Sequence, residues 1–157
     1  VRTPMQWNAE KNGGFSSADD LIAPVIDEGP FRFSEINAAS QLEQDGSLLQ
    51  WMKRLIAARK CFPGVGLCPA QLLNTEEQDD RAIAHYFGAP KNHPESTPLA
   101  LFHNLSDQPV TATVHLPALE NRPLNPQVKI GCGQITSFEG QKLSVELPAF
   151  GYLWIKA

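Results

Sequence analysis

Val110-Thr111-Ala112-Thr113-Val114-His115-Leu116 alternates apolar and polar residues from end to end. Successive side chains of a strand point to opposite faces, so this run predicts a strand with one face on a core and the other in water. Outward from it, two-residue periods or short apolar runs recur at 70–74, 81–88, 99–104, 127–131, 142–147 and 151–156. Leu99-Ala100-Leu101-Phe102 is apolar without a break, which predicts a central strand. Turn formers separate the runs at 76–80, 89–98, 106–109 and 117–126, and at Glu139-Gly140. Short strands with frequent turn signals predict a mainly β architecture, an antiparallel sandwich or barrel.

Upstream the period changes to that of a helix. Leu48, Trp51, Met52, Leu55 and Ile56 fall at i, i+3, i+4, i+7 and i+8, one apolar stripe on a helix expected over 46–60. Asp45 or Ser47 is placed to cap it. Lys53, Arg54, Arg59 and Lys60 supply positive charge toward its C-terminal end, where the helix dipole favours it. Phe62-Pro63-Gly64 ends it, because a proline disfavours helical geometry at the residue before. Residues 1–44 show no sustained period and are broken by Thr3-Pro4, Asn12-Gly13-Gly14, Ala23-Pro24 and Gly29-Pro30. An irregular segment is expected there, with at most a short helix or turn in 34–44.

The bulk numbers bound the function. The chain has 157 residues, and a (β/α)8 barrel needs about 250, so a complete barrel is excluded. Charged residues are 19% and the net charge is -4, which argues against a nucleic-acid footprint of clustered Lys and Arg. No run approaches the roughly 18 apolar residues of a membrane span. Cys61, Cys68 and Cys132 are odd in number and form no CxxC pair, so neither a disulfide framework nor a zinc site is expected, and a reducing cytoplasm is the expected compartment. His85, His93, His103 and His115 are scattered without metal-ligand spacing, and no Gly-rich phosphate loop is present; no metal or cofactor is expected. Asn104-Leu105-Ser106 is a formal glycosylation sequon, expected to be unused.

The opening run, Arg2-Thr3-Pro4-Met5-Gln6-Trp7 followed by Asn12-Gly13-Gly14-Phe15-Ser16, resembles the segment after the last barrel strand of α-amylase-clan glycoside hydrolases. Ile36-Asn37, Ala39-Ser40-Gln41, Asp45 and the helix through Arg59-Lys60 are similar to the clan's final helical segment. Phe102-His103-Asn104-Leu105-Ser106 resembles a central strand of its C-terminal sandwich, and Pro148-Ala149-Phe150-Gly151-Tyr152-Leu153-Trp154 the last strand. Within the clan the combination looks most like the trehalose synthase family, which interconverts maltose and trehalose. The departures are Ala38-Ala39, where a carboxylate is usual in that family, Phe31-Arg32-Phe33 in place of a Tyr-Gly-Tyr-like element, and a longer, Pro-rich connection at 89–98.

The resemblance implies an antiparallel Greek-key β-sandwich of the amylase C-terminal type, preceded by an irregular segment and the last amphipathic helix of a (β/α)8 barrel. It divides the chain into a barrel tail, 1–62, and a sandwich domain, 63–157. With Val rather than Met at its start, the chain is expected to be the non-catalytic tail of a longer enzyme. The resemblance implies that the nucleophilic Asp, the acid/base Glu and a further Asp lie upstream. The acidic pairs Asp19-Asp20, Asp27-Glu28, Glu76-Glu77 and Asp79-Asp80 read as solvated charge.

It also implies that Arg2 and Gln6 touch an α-glucoside, maltose or trehalose, in the intact enzyme. The alternatives are an Arg2 bonded to its own loop carbonyls and a Gln6 that braces the loop. Trp7 and Phe15 are expected to pack under the loop, and Met5 to fill a gap. The stripe of the 46–60 helix needs a partner: the catalytic barrel, the following domain, or a second copy in a homodimer. Phe150, Tyr152 and Trp154 share a face that could be a sugar platform in a stand-alone carbohydrate-binding module. Leu153 and Ile155 opposite make that strand read as core instead. A C-terminal structural domain of an α-glucosidase or α-amylase is the other reading.

Overall fold

The alternating and apolar runs become two antiparallel sheets. The computed structural model describes residues 2–94, 96–119 and 123–157, so Val1 and parts of the connections expected at 89–98 and 117–126 (Glu95 and 120–122) lie outside the described residues. The chain divides into two units, Val1–Ile56 and Ala57–Ala157.

Among the described residues of Ala57–Ala157 there are eight strands: β1 (Gln71–Leu73), β2 (Ala82–Phe87), β3 (Leu99–Asn104), β4 (Val110–His115), β5 (Gln127–Gly131), β6 (Gln134–Glu139), β7 (Lys142–Leu147) and β8 (Tyr152–Lys156). One sheet runs β1-β2-β3-β8-β5 and the other β4-β7-β6. Seven of the strands fall where the pattern predicts them; β6 is an addition. Its pairing with β7 shifts register between Ile135 and Ser137. That bulge puts Ile135 and Phe138 three apart yet both packed against the core, which hides the two-residue period. Gly140, at φ 62, makes the tight β6–β7 turn.

One core joins the inner faces of the two sheets: Ala84, Tyr86, Ala100, Phe102, Leu153 and Ile155 from the first, Val110, Ala112, Val114, Leu143, Val145 and Leu147 from the second. Central strand β3 is buried on both faces, as its unbroken apolar run predicts. Its outer side chains Leu99 and Leu101 form a second cluster with Phe62, Val65, Phe87 and Trp154. The cover comes from the chain just after helix α2 (Leu48–Lys60), including the single turn α3 (Gly64–Leu67). Leu153 and Ile155 lie in the sandwich core while Trp154 joins the outer cluster, so β8 reads as core on both sides, and exposed Phe150 lies in the turn before it.

Asn104 holds the loops at one end of the sandwich. It is 3% exposed. Its amide nitrogen donates to the carbonyls of Gln108 (2.6 Å) and Pro148 (2.8 Å), and its Oδ1 accepts from the Ser106 N–H (2.9 Å) and hydroxyl (2.8 Å). Both ends of the amide are therefore committed, which leaves the sequon no free side chain.

Val1–Ile56 is built differently. A 3-10 turn spans Lys11–Gly14, and α1 (Ala38–Glu43) is a short helix with a capping box between Asn37 and Ser40. Helix α2 (Leu48–Lys60) starts where the Ser47 hydroxyl accepts from the Gln50 N–H at 3.2 Å. Among the described residues up to Ile56, only Gly13 and Asn37 are buried. Leu48, Met52 and Ile56 of the α2 stripe are 66%, 41% and 48% exposed.

Two outcomes follow for the sandwich. Asn104→Ala strands several polar groups and should cost about 3 kcal/mol in urea unfolding, whereas Leu105→Ala, at an exposed neighbour, should stay within about 0.5 kcal/mol. His85 and His103 stack on neighbouring strands with ring centroids 5.5 Å apart, and burial holds both below the usual imidazole value, with the charge of His85 adding to the effect on His103. A depressed imidazole is neutral when folded and takes up its proton more readily when unfolded. Stability from this pair is therefore present above about pH 6.5 and lost as pH falls through the folded values. The urea midpoint should drop between pH 7.5 and pH 5.5, and the double variant His85→Gln/His103→Gln should flatten that drop.

Candidate functional site

The candidate site is the opening segment and what it is tied to within Val1–Ile56. The chain turns back on itself after Trp7. The N–H groups of Trp7 and Asn8 both donate to the Gly13 carbonyl, at 2.7 and 3.1 Å, and the Asn8 Oδ1 accepts from the Glu10 N–H at 3.0 Å. Asn12, Gly13 and Gly14 follow with φ of 55, 65 and 70. Such backbone favours glycine, and at Gly14 a Cβ would also collide with the Asn8 side chain. The Asn12 amide then donates to the carbonyls of Ser16 (3.0 Å) and Ala18 (2.7 Å), fixing the path beyond Phe15.

Gln6 sits at the centre of a second set of bonds. Its side-chain amide donates to the Phe31 carbonyl at 3.1 Å and to the Ile36 carbonyl. The backbone adds Ala38 N–H to the Gln6 carbonyl and Ala39 N–H to the Trp7 carbonyl, both 2.9 Å. Asn37, buried between them, donates to the Phe33 carbonyl at 2.9 Å and accepts from the Ser40 N–H at 2.9 Å. The opening run is thereby stitched to the start of α1. Of the two roles weighed for Gln6, these bonds are those of a brace.

Arg2 is exposed and lines a cavity of about 510 Å³ with Met5, Phe15, Ser16, Asp20 and Ile22. A guanidinium, an aromatic ring, a hydroxyl and a carboxylate on one concave surface are groups that can bond and stack on a polar ring. A second, mainly apolar cavity of about 750 Å³ along the same run is lined by Pro4, Met5, Trp7, Phe31, Ile36 and Leu42, among others. Trp7, Phe15 and Met5 are 53%, 52% and 50% exposed. The packing expected of Trp7 and Phe15 beneath the loop, and of Met5 in a gap, is therefore not present in this unit. Its own residues are too few to cover them.

The acidic pairs divide by environment. Asp19 pairs with Lys11 at 2.5 Å in the open, where such a bridge contributes little. Asp79 is held at about 2 by the Arg81 guanidinium and backbone N–H. Glu76 is kept below the usual carboxylate range by Lys142 and His115. Among the described residues no group of three or more His, Cys, Asp or Glu is arranged to hold a metal ion. The sequence motifs point to Arg2 and Gln6; they give no sign that Asp20 lines the same cavity as Arg2, where a loop without period brings it.

The comparisons with known proteins accord with this picture. The profile of the family described as alpha amylase, catalytic domain, matches residues 1–64. The trehalose synthase/amylase TreS of Mycolicibacterium smegmatis is 38% identical over 61 residues, which is 38% of this chain and 10% of that protein. The alpha-glucosidase of Pediococcus pentosaceus is 34% identical over 116 residues, 74% of this chain and 19% of that protein. The crystal structure of the trehalulose synthase MUTB matches with a TM-score of 0.65 over 99% of this chain and 25% of that one, at 18% identity, a likeness of fold. The chain spans between about a tenth and a fifth of the length of these curated relatives. Residues 1–64 thus match the alpha amylase catalytic-domain family, the chain is similar in sequence to trehalose synthases and an alpha-glucosidase, and its fold is similar to that of the trehalulose synthase.

Proposed function

We propose that this chain is a non-catalytic C-terminal part of a retaining α-glucoside-active enzyme, one that interconverts maltose and trehalose by intramolecular glucosyl transfer. In this reading residues 1–62 are the closing loop and last outer helix of a (β/α)8 barrel, and 63–157 are a Greek-key sandwich of the amylase C-terminal type. The observation that carries it is the contrast inside the first unit. Its sequence matches a catalytic domain, yet Met5, Trp7, Phe15, Phe31, Leu42, Leu48, Met52 and Ile56 are all exposed. Contiguous apolar surface on a soluble chain marks a partner, and the barrel is the partner that this family would supply, in preference to a second copy. The three free cysteines suit a reducing cytoplasm.

Retaining chemistry needs two carboxyl groups about 5 Å apart, one attacking the anomeric carbon and one giving and then taking the proton of the glycosidic oxygen. The residues here are given other work. Arg2, at the face where barrel active sites form, would hold a sugar hydroxyl or orient a catalytic carboxylate. Gln6 would keep that segment in place. For transfer to win over hydrolysis, water has to be kept from the pocket; the apolar walls at Met5, Trp7 and Phe31 suit closure against a barrel.

A second reading, an α-glucosidase parent, is favoured by the Pediococcus relative, whose match extends over nearly twice as many residues. A stand-alone sugar-binding module is disfavoured by Trp154, which is packed with Phe62 and Leu101.

The test is direct. The chain alone should neither isomerise nor hydrolyse maltose, and should show no saturable binding to maltose, trehalose or soluble starch by calorimetry; robust turnover would overturn the proposal. In an enzyme carrying this segment on its barrel, Arg2→Ala should lower kcat/KM for maltose by roughly 10- to 100-fold, the worth of one charge-assisted hydrogen bond. Product analysis for trehalose against glucose separates the two parents.

A further inference from the structure

The two sheets have four edges, and three are visibly blunted. Strand β1 is only three residues long. Strands β5 and β6 each carry a register shift, between Val128 and Ile130 and between Ile135 and Ser137. Short and bulged strands are poor templates for further pairing. The fourth edge, β4, has neither device: it is six residues long and pairs with β7 in unbroken register from Val110 to His115. Its free side is occupied instead by the loop between β1 and β2, which belongs to the other sheet.

That loop imitates a strand for one residue pair. The Glu76 N–H donates to the Thr113 carbonyl at 2.8 Å, and the Thr113 N–H donates to the Glu77 carboxylate at 2.8 Å. A side-chain carboxylate thus stands where a neighbouring strand would offer a carbonyl. Thr113, polar and expected to face water, is 6% exposed as a result, and its hydroxyl meets that of Ser144 at 3.0 Å. Glu76 anchors the loop a second time, meeting His115 of β4 at 3.0 Å and Lys142 of β7 at 2.7 Å. Further along, Asp79 accepts from the Arg81 backbone and guanidinium, and Gln78 adopts φ 50 to make the turn.

We infer that Glu76 and Glu77 form an acid-releasable guard on the edge of β4. The guard is tightest while both carboxylates are ionised, because protonation weakens acceptance from the Thr113 N–H and cancels the pairing of Glu76 with Lys142. Burial pushes Glu77 up, and the hydroxyl and amide of Thr113 outweigh it, leaving Glu77 below the usual carboxylate range. Lys142 and then His115 do the same for Glu76. A depressed carboxylate contributes above its unfolded value and loses its contribution as pH falls through the folded one, so the guard is intact at neutral pH and opens in acid. The facing groups are few: His115 on β4 and Lys142 on β7 oppose release by adding positive charge, Glu139 of β6 competes for Lys142, and Glu76 and Glu77 repel each other. Asp79, held at about 2, stays ionised after the guard has opened, so the rest of the loop remains in place.

Hydrogen exchange on the full chain tests this at the Thr113 amide, with the Phe102 amide in the centre of β3 as the internal reference. In the wild type, the Thr113 protection factor should fall about tenfold between pH 7 and pH 3.5, while Phe102 keeps its own. The double variant Glu76→Gln/Glu77→Gln keeps the acceptors and removes the titration, so its Thr113 protection should not change with pH. Glu77→Ala should expose Thr113 already at pH 7. The inference is overturned if the wild-type Thr113 protection is constant over this range, if it falls in step with Phe102, or if the double Gln variant shows the wild-type fall.

Discussion

Leu101 on β3 and Trp154 on β8 are register partners on the side of their sheet away from the sandwich core, and Phe62 and Val65 pack with them. On the other side of the same strands lie Phe102, Leu153 and Ile155, all with no exposed surface. A sheet apolar on both faces has to be covered twice, because each such side chain left in water forfeits about 1.5–3 kcal/mol. The second sheet supplies one cover. The Phe62-Pro63-Gly64 break supplies the other, so the residues that stop helix α2 also roof β3. Gly64 fits this role: a Cβ there would strike the Gly88 carbonyl.

The first unit obeys the opposite logic. It buries almost nothing, yet its path is defined by bonds between side-chain amides and distant carbonyls. Gln6 reaches 25 and 30 residues along the chain, Asn12 four and six, and Asn37 four. Each such bond contributes about 0.5–1.5 kcal/mol net. A handful of them shapes a loop but does not replace a core. Its apolar groups Met5, Trp7, Phe15 and Phe31 therefore stay exposed, which is the physical reason for proposing that it is a barrel's closing segment.

The sandwich was legible in the sequence wherever the pattern repeats. Strands β3, β5 and β7 fall on their expected residues, and α2 begins two residues late and ends on time, because Leu48 to Ile56 keep a helical period and Pro63 stops it. Strand β6 escaped because its bulge breaks the alternation. Alternation predicts Thr113 in water because it reports which face a side chain takes, and says nothing of a loop from another sheet folding over it. The site was legible by likeness alone. Arg2-Thr3-Pro4-Met5-Gln6-Trp7 marks the segment, but the partners of Gln6 are carbonyls, which every residue has, and no composition or spacing points to them.

One strategy connects the parts without period. Asn104 in the sandwich, Asn37 before α1 and Asn12 in the opening turn each sit where the chain changes direction, and each spends its amide on the carbonyls around it. Asparagine suits this work because it carries both donors and an acceptor on a short arm and tolerates left-handed backbone, as Asn12 does at φ 55. Helix α2 joins the two ways of building. It begins in the unit held by amides, with Leu48, Met52 and Ile56 uncovered, and its last turn, with Ala58 buried, lies in the unit held by a core. The stripe residues Leu48, Met52 and Ile56 stay exposed in the first unit, and burial on this helix begins only past them, at Ala58 in the second.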